Sequence, residues 1–567
     1  MAETIINYFA QTDFRGKRIP FGIKGDDRAR HVYVIGKTGM GKSCLLENMA
    51  VQDIQNGEGM AFIDPHGKSA ELLLDFVPPE RLKDVIYFAP FDLEHPISFN
   101  VMEDVGPDQR HLVANGLMSS FKKIWPDVWS SRMEYILNNC LLALLEYPDS
   151  TLLGVNRLLS DKDYRKQVVD NITDPSVRSF WLDEFAKYNE RYMQEAGDAI
   201  KNKIGQFTAN PLIRNIIGQT KSSFDLREAM DSKKILIVNL SKGQLGEQNA
   251  NLLGGILITK IYLAAMSRAG VGAGISKLPY FYVFIDEFQS FVNDSFADIL
   301  SEARKYKLSL TIAHQYIEQM PEEVRNAVFG NIGTTIAFRV GPFDAEVLEK
   351  IFLPTFTQED LVNLGFAQIY LTLMINGVGS PPFSAVTLPP IVSTTASIKD
   401  QIIKSSQKNY ASPRELVETK ITTWFEPVVK FTAKSEPKKS ENSKTPQTFQ
   451  SSLPLAKTTK AVSKPVATPV TKSAPKPLAK PAPPKAFSLS ILKNKAQSSN
   501  PSTPLGASKN KDELKAFLGE IMANKKPKTV SASSTSNPSV RSNSQPDPKK
   551  EIPQDVLEDL LAVKPGE

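Results

Sequence analysis

The stretch that decides the fold is HVYVIGKTGMGKS, residues 31–43, where an apolar run meets a glycine-rich turn that ends in Lys-Ser. Residues 32–35 have the composition of a buried parallel strand, and residues 44–50 have helical spacing. Gly36 and Gly41 supply the permissive backbone that lets successive N–H groups curl around a phosphate chain. Because a strand precedes the turn and a helix follows it, we interpret the stretch as a phosphate-binding loop.

This loop predicts how a nucleotide is held. Lys42 is expected to place its charge on the β- and γ-phosphates, and the Ser43 hydroxyl is expected to bind Mg²⁺. The N-terminus of the following helix faces the same phosphates, since its free N–H groups and its dipole favour an anion. The predicted ATP-binding residues are Gly36, Lys37, Thr38, Gly39, Met40, Gly41, Lys42, Ser43 and Cys44.

Length and composition predict a soluble chain of more than one domain. The 567 residues exceed a single core, and 41% hydrophobic with 23% charged residues is ordinary for a soluble protein. The two cysteines, Cys44 and Cys140, suit neither a disulfide framework nor a metal site, which favours a reducing cytoplasm. We expect no signal peptide and no membrane span, because the most apolar segment, residues 252–266, is short and has Lys260 at its centre.

The charge of the chain is divided between a body and a tail. Residues 391–567 hold 29 Lys and Arg against 15 Asp and Glu, a net charge of +14, which leaves a net charge of −8 for residues 1–390. The tail is rich in Lys, Ser, Thr, Ala and Pro and cannot bury a core, so we predict that it is disordered. Three islands keep helical periodicity and suit docking on partner proteins, namely residues 413–431, 512–523 and 554–563.

Apolar strands alternate with helices along the body, which predicts an α/β fold with a mostly parallel sheet. A long helical stretch interrupts this alternation and is interpreted as an inserted all-α domain. Its aromatic residues, Trp125, Trp129, Phe180 and Trp181, suit a bundle core better than base stacking. The predicted divisions are a β-ribbon with the first part of the P-loop ATPase domain (1–106), the all-α insertion (107–230), the second part of the ATPase domain (231–390) and the basic tail (391–567).

Two carboxylates follow the apolar strand at residues 280–285. Asp286 is predicted to bind the Mg²⁺ shell, and Glu287 to polarise the attacking water as the catalytic base. An apolar strand that ends in Asp-Glu is a weak signal alone. Together with the loop at residues 36–43 it is strong, because metal, phosphate and base must converge in one site.

Polar residues end two further predicted strands. Gln315 follows the strand at residues 308–313 and can contact the γ-phosphate or its water. Asp64 and His66 follow the strand at residues 59–64, where they either lie near the nucleotide or simply form a turn. Arg304, taken by itself, is best read as a solvated helix charge.

These motifs together resemble the HerA/FtsK superfamily of ring-forming motor ATPases, and within it the TraG/TraD type IV coupling proteins of conjugation and secretion. The resemblance covers about residues 15–390, including the all-α insertion. It implies a RecA-like fold and a hexamer that hydrolyses ATP with Mg²⁺ and pulls DNA through a central channel. It also implies that Gln315 senses the γ-phosphate and that Arg304 is an arginine finger acting on the neighbouring subunit, with Arg339 as the second candidate.

This chain departs from the coupling-protein pattern in one respect, since those proteins usually begin with transmembrane helices and none is predicted here. We therefore expect a cytoplasmic protein that reaches the inner face of the membrane through a channel or anchoring partner, or else a soluble HerA-like DNA-processing translocase. Two further functions stay open. One is a secretion or pilus-assembly ATPase that does not thread DNA, and the other is an ATP-gated assembly scaffold.

Overall fold

The computed structural model of the chain describes residues 5–13, 16–103, 105–293, 295–394 and 396–426. A single large sheet organises these residues, with a small two-stranded hairpin beside it. The strands are β1 (Ile6–Thr12), β2 (Pro20–Lys24), β3 (Val32–Ile35), β4 (Gly59–Asp64), β5 (Val85–Phe88), β6 (Ile235–Asn239), β7 (Phe281–Ile285), β8 (Leu308–His314), β9 (Thr334–Ala337), β10 (Gln368–Thr372), β11 (Met374–Ile375), β12 (Val378–Gly379) and β13 (Phe383–Thr387).

The large sheet has eleven strands in the order β2-β1-β13-β10-β9-β3-β8-β7-β4-β6-β5. The run from β9 to β5 is parallel throughout. The strands β10, β13, β1 and β2 extend one edge in antiparallel pairing. The predicted α/β class with a large, mostly parallel sheet is therefore confirmed.

The parallel strands are apolar along their whole length because both faces of the sheet are covered. In β3 the side chains of Tyr33 and Ile35 enter one hydrophobic core, whereas Val32 and Val34 enter the other. All four residues are buried. This alternation is the two-residue period of a strand, and it shows that β3 is covered by a hydrophobic core on each face of the sheet.

Helices cover both faces of the sheet, as expected for parallel strands joined by crossovers. Short 3₁₀ turns include Phe288–Ser290, which follows β7, and Ala303–Tyr306, which directly precedes β8. The α-helices are α1 (Gly25–Arg28), α2 (Lys42–Gln55), α3 (Lys68–Leu74), α4 (Arg110–Ile124), α5 (Ser131–Glu146), α6 (Gly154–Ser160), α7 (Lys162–Asn171), α8 (Pro175–Ser179), α9 (Glu190–Thr208), α10 (Pro211–Ile217), α11 (Leu226–Asp231), α12 (Lys242–Leu245), α13 (Glu247–Met266), α14 (Phe296–Glu302), α15 (Glu322–Asn331), α16 (Pro342–Phe352), α17 (Gln358–Val362), α18 (Lys399–Tyr410) and α19 (Arg414–Phe425).

Between β5 and β6 the regular secondary structure of the described residues is entirely helical, from α4 to α11. This helical segment joins the sheet through close packing of α4 on α13. A Cβ added to Gly116 of α4 would lie 2.4 Å from Cγ2 of Thr259 on α13, so a side chain at position 116 would force the two helices apart. The segment therefore rests directly on a helix of the ATPase fold.

One helical stretch among the described residues, Glu247–Lys277, has the length and apolar composition of a membrane span. In this structure 67% of its apolar window is buried. Leu252, Leu257 and Ile261 of α13 are all about 99% or more buried in the larger core. Burial against other helices is the arrangement that the sequence predicts for this segment.

The structure differs from the predicted tail boundary at residue 391. Helices α18 and α19 pack on the body: Ile402 is fully buried, and the Ser406 hydroxyl accepts a hydrogen bond from the backbone N–H of Tyr87 at 2.9 Å. Val417 and Ile421 of α19 form a small apolar cluster with Leu153. Their spacing of four residues places them on one helical face, as the periodicity of the island at residues 413–431 indicates. Residues 427–567, with the islands at 512–523 and 554–563, lie outside the described residues.

Candidate functional site

The phosphate-binding loop joins β3 to α2, with the predicted glycines at its two bends. Gly36 has no room for a side chain, since an added Cβ would lie 2.5 Å from Cβ of Phe338. Gly41, which caps the N-terminus of α2, has a φ angle of 116°, a conformation that strongly favours glycine. The loop is therefore shaped by its own sequence, and the first turn of a 14-residue helix points its N–H groups into it.

The Lys42 side chain turns back into the loop. Its Nζ donates hydrogen bonds to the carbonyl oxygens of Gly36 at 2.6 Å and Lys37 at 3.2 Å. The side chain is only 6% exposed, and burial lowers the pKa of Lys42, while the carboxylates of Glu287 and Asp286 oppose that shift. A cation held in this position faces the space that the loop encloses.

Ser43 and Asp286 meet at the start of α2. The Ser43 hydroxyl donates a hydrogen bond to Oδ2 of Asp286 at 2.8 Å, although the two residues are 243 positions apart in sequence. Burial raises the pKa of Asp286, the Ser43 hydrogen bond opposes this, and the nearby carboxylates of Glu287 and Asp64 raise it further. A buried acid whose own neighbours are acids is stabilised in its charged form by a cation. Hydroxyl and carboxylate oxygens at this spacing fit Mg²⁺, which prefers oxygen ligands.

Glu287 directly follows Asp286 and has a left-handed backbone, with φ 49° and ψ 47°. That conformation is uncommon for a residue with a side chain and often marks a functional position. One carboxylate oxygen of Glu287 accepts a hydrogen bond from Nε2 of Gln315, and the other accepts one from Nε2 of Gln289. The predicted base is thus held from both sides by amides.

Gln315 also contacts the phosphate-binding loop. Its Oε1 accepts a hydrogen bond from the Thr38 hydroxyl at 2.9 Å. Thr38, Gln315 and Glu287 therefore form a continuous hydrogen-bonded chain from the loop to the base. Through this chain a change at the phosphate end can alter the orientation of the carboxylate.

The residue before Gln315, His314, is fully buried beneath the site. Its Nδ1 lies 3.0 Å from the Tyr33 hydroxyl, and burial lowers the pKa of His314 to about 4. A second buried histidine, His31, lies at the opposite end of β3, where burial and the charge of Arg304 lower its pKa to about 4. Both rings are therefore neutral at physiological pH, and His314 acts as a packing residue next to the base.

Asp64 and His66 form the turn after β4. The Asp64 carboxylate accepts hydrogen bonds from the backbone N–H groups of His66 at 2.7 Å and Ala70 at 2.9 Å. The structure therefore supports the turn. Asp64 nevertheless lies close enough to raise the pKa of Asp286, so it adds negative charge around the metal position.

Two arginines considered for the finger lie at opposite ends of the parallel strands. Arg304 is exposed and precedes β8, whereas Gln315 follows the same strand. A seven-residue strand spans roughly 20 Å, so Arg304 does not reach the phosphate-binding loop of its own chain. Arg339 lies beside that loop, where its carbonyl oxygen accepts a hydrogen bond from the backbone N–H of Lys37 at 2.8 Å.

The helical segment contacts the loop that follows Glu287. Nζ of Lys123 on α4 donates a hydrogen bond to the carbonyl oxygen of Gln289 at 2.6 Å. Burial, helped by the charge of Lys242, lowers the pKa of Lys123 to about 7. Lys242 itself donates a hydrogen bond to the Ser290 hydroxyl at 2.8 Å. Two lysines from outside this loop thus bond to its residues 289 and 290, and Gln289 in turn contacts the carboxylate of Glu287, the predicted base.

Arg28 and three of the aromatic residues in the helical segment have structural roles. Arg28 is 2% exposed and makes two hydrogen bonds to the Asp53 carboxylate, at 2.7 and 2.8 Å. Trp125, Phe180 and Trp181 are buried among helices, as the sequence favours. These four residues are therefore not available to stack on bases or pair with phosphates.

Residues 18–351 match the family described as the type IV secretion-system coupling protein DNA-binding domain. The chain is also similar in structure to the unbound bacterial conjugative coupling protein TrwBdeltaN70, at 15% identity and a TM-score of 0.47 over 68% of this chain and 91% of that chain. The plasmid coupling protein TrwB in complex with ADP and Mg²⁺ is also similar, at 15% identity and a TM-score of 0.47 over 69% of this chain and 92% of that chain. VirB4 of Thermoanaerobacter pseudethanolicus matches at 14% identity and a TM-score of 0.45, over 71% of this chain and 99% of that chain. No curated protein matches the chain.

Proposed function

Because the chain belongs to the family of type IV secretion-system coupling protein DNA-binding domains, we propose that it is an ATP-hydrolysing motor that moves DNA through a ring of identical subunits. The observation that carries this proposal is the convergence of Lys42, Ser43, Asp286, Glu287 and Gln315 at one edge of the sheet. A protein that only binds nucleotide needs the first three of these residues. The amide-held carboxylate of Glu287 adds what hydrolysis requires.

Each residue has a separate role in this site. Lys42 and the N–H groups of the loop bind the β- and γ-phosphates, and Ser43 with Asp286 binds Mg²⁺, which neutralises phosphate charge when bound. Glu287 orients the attacking water and accepts its proton. Gln315 reports the state of the γ-phosphate, because it contacts both the Thr38 hydroxyl of the loop and the base.

The position of Arg304 favours an oligomer. In its own chain this exposed residue lies about one strand length from the site. In a ring, the end of the strands that carries Arg304 can face the nucleotide of the next subunit, where its charge would stabilise the transferring phosphoryl group. We propose a hexamer with six shared sites, in which Arg339 serves its own loop through the backbone.

DNA and a membrane partner complete the proposed function. The family is defined by a DNA-binding domain of type IV secretion systems, which operate at the membrane. We place this chain at the inner face of the membrane through a protein partner. Residues 427–567 are the proposed site for recruiting DNA or that partner, because a segment with this excess of Lys attracts polyanions.

The test is the rate of ATP hydrolysis with and without single- and double-stranded DNA, with the oligomer mass recorded in the same samples. The proposal predicts that DNA stimulates hydrolysis and that the stimulated form is a ring. The variant Glu287→Gln is the matched control, since it keeps the site but removes the base. A rate of hydrolysis that neither single- nor double-stranded DNA changes would point instead to a secretion or pilus-assembly ATPase. Nucleotide binding without hydrolysis would point to an assembly scaffold.

A further inference from the structure

A groove of about 780 Å³ opens on the helical segment, lined by none of the residues of the nucleotide site. Its lining includes Trp181 and Phe185, which are buried, and Leu182, which is 50% exposed. The Trp181 Nε1 is buried and has no hydrogen-bond partner among the described residues. An occupant that fits must be apolar on the side that contacts Trp181, Leu182 and Phe185.

The remaining lining of the groove is basic. Lys162, Arg165, Lys166 and Lys201 line it, against the single acidic residue Asp170. Arg165 donates to backbone carbonyl oxygens, and Lys201 pairs with Asp198. Lys162 and Lys166 are exposed and have no ion pair within the part of the chain that the structure describes. The groove thus offers an apolar floor and free positive charge, which favours an acidic amphipathic helix.

The described chain ends against α7, one of the helices that line this groove. The Trp424 ring of α19 lies 5.8 Å from the ring of Tyr164 on α7, and its carbonyl oxygen accepts a hydrogen bond from Arg157. The same helix α7 carries Lys162 and Lys166. Tyr164 and the lysines that line the groove lie on opposite faces of α7, so residues 427–567 leave the fold on the far side of that helix from the groove. A tether formed by residues 427–551 spans about 60 Å on average, several times the diameter of a helix, so the motif can reach round α7 to the groove.

We infer that the groove binds residues 552–563 of the chain's own tail, IPQDVLEDLLAV. This stretch carries three acidic residues and no basic one, although residues 427–567 as a whole have a net charge of +13. The other island in the undescribed tail, residues 512–523, contains Lys515 in its middle and matches the basic rim less well. In a helix, the apolar face of the proposed occupant is formed by Val556, Leu557, Leu560 and Leu561, and the acidic residues are Asp555, Glu558 and Asp559.

Docking within one chain needs little intrinsic affinity, because the tether keeps the motif at a high effective concentration near the groove. The apolar contacts supply most of the free energy, and the charge pairs supply orientation and salt sensitivity. The docked motif would hold the basic tail against the helical segment and occupy the groove until a partner displaces it. The tail would then be released where that partner binds.

Hydrogen–deuterium exchange on the full chain tests this contact. We expect the amides of residues 552–563 to exchange about tenfold or more slowly than in a synthetic peptide of residues 549–567. The double variant Lys162→Glu/Lys166→Glu should remove this protection. Combining it with Glu558→Lys/Asp559→Lys should restore the protection, because the charge pairs are then reversed.

The matched control is Lys83→Glu/Lys277→Glu, which changes the same net charge at exposed lysines outside the groove and should leave the protection unchanged. Exchange in α13, which carries none of the residues that line the groove, is read in the same experiment and reports whether a variant still folds. Three results would overturn the inference: no protection in the wild-type chain, protection of residues 512–523 in its place, or protection that disappears on dilution and so belongs to contact between chains.

Discussion

Replacing Lys123 with methionine should slow ATP hydrolysis without weakening nucleotide binding. Lys123 lies on α4, outside the nucleotide site, and its Nζ donates to the carbonyl oxygen of Gln289 at 2.6 Å. Gln289 in turn donates through its side chain to the Glu287 carboxylate. Met fills similar volume but cannot donate, so the loop that orients the base loses one of its supports.

The size of the effect follows from the lost hydrogen bond. A hydrogen bond from a charged donor contributes about 1.5–3 kcal/mol. If that free energy holds Glu287 in its productive orientation, kcat should fall by roughly 10- to 100-fold. The Kd for a non-hydrolysable nucleotide should stay within a factor of about two, because the loop from Gly36 to Ser43 makes no contact with Lys123.

The pH dependence gives a second measure of the same interaction. The pKa of Lys123 is lowered to about 7, mainly by burial, so its side chain is charged below that pH and increasingly neutral above it. The charged form donates the stronger hydrogen bond. The ratio of wild-type kcat to that of Lys123→Met should therefore be largest below pH 7 and should shrink as the pH rises through 7.

Steady-state kinetics with two companion variants decide the outcome. Lys123→Arg should recover most of the turnover, and Lys122→Met, at an exposed neighbouring position on α4, should behave as wild type. The reasoning is refuted if Lys123→Met keeps wild-type kcat at pH 6. It is also refuted if kcat and nucleotide affinity fall together, since that pattern indicates general damage to the fold.

Four other substitutions separate the roles in the site, and one truncation tests the boundary of the tail. Lys42→Ala should abolish nucleotide binding, whereas Glu287→Gln should bind normally and lose a hundredfold or more in turnover, because only the transition state uses the base; calorimetry beside kinetics checks both. Gln315→Ala should lower kcat more than affinity, and equal losses would argue against its role as a sensor. Arg304→Ala alone should lower the rate of ATP hydrolysis by about 10³-fold or more. Mixing this variant with Glu287→Gln should restore hydrolysis if neighbouring subunits share sites. If the subunits exchange and hydrolysis does not recover, Arg304 is not part of the site. A chain ending at Glu426 should keep basal hydrolysis and lose any salt-sensitive DNA affinity of the tail, and loss of folding would contradict that boundary.

Much of the fold is readable from the sequence because parallel strands have a simple pattern. The apolar runs at residues 32–35, 59–64 and 281–285 became buried strands at those positions, and the motifs at their ends identified the family that the match over residues 18–351 confirms. A strand buried on both faces consists of apolar residues, so polar residues that directly follow it, such as Asp286 and Glu287 after β7, are candidates for a site. These constraints are local, so a single sequence carries them.

Contacts between distant elements could not be predicted in the same way. The hydrogen bond from Thr38 to Gln315 joins residues 277 positions apart, and that from Lys123 to Gln289 joins residues 166 positions apart. Nothing in the sequence around Lys123 distinguishes it from Lys122, because the difference is the direction each side chain takes from α4. Helix α18 was missed for a related reason, since burial of a few residues such as Ile402 outweighs a composition typical of disorder. Helix α19 lies within the island at residues 413–431, where the sequence does show helical periodicity.

Movement on DNA is the most direct measure of the proposed function. The assay is release of streptavidin from biotin at either end of single- or double-stranded DNA, with the full-length chain and ATP. We predict ATP-dependent release from one end by the wild-type protein and none by Glu287→Gln, although the variant still binds both DNA and ATP. A wild-type protein that hydrolyses ATP on DNA yet releases streptavidin from no end would contradict the proposal that this chain is a DNA-moving motor.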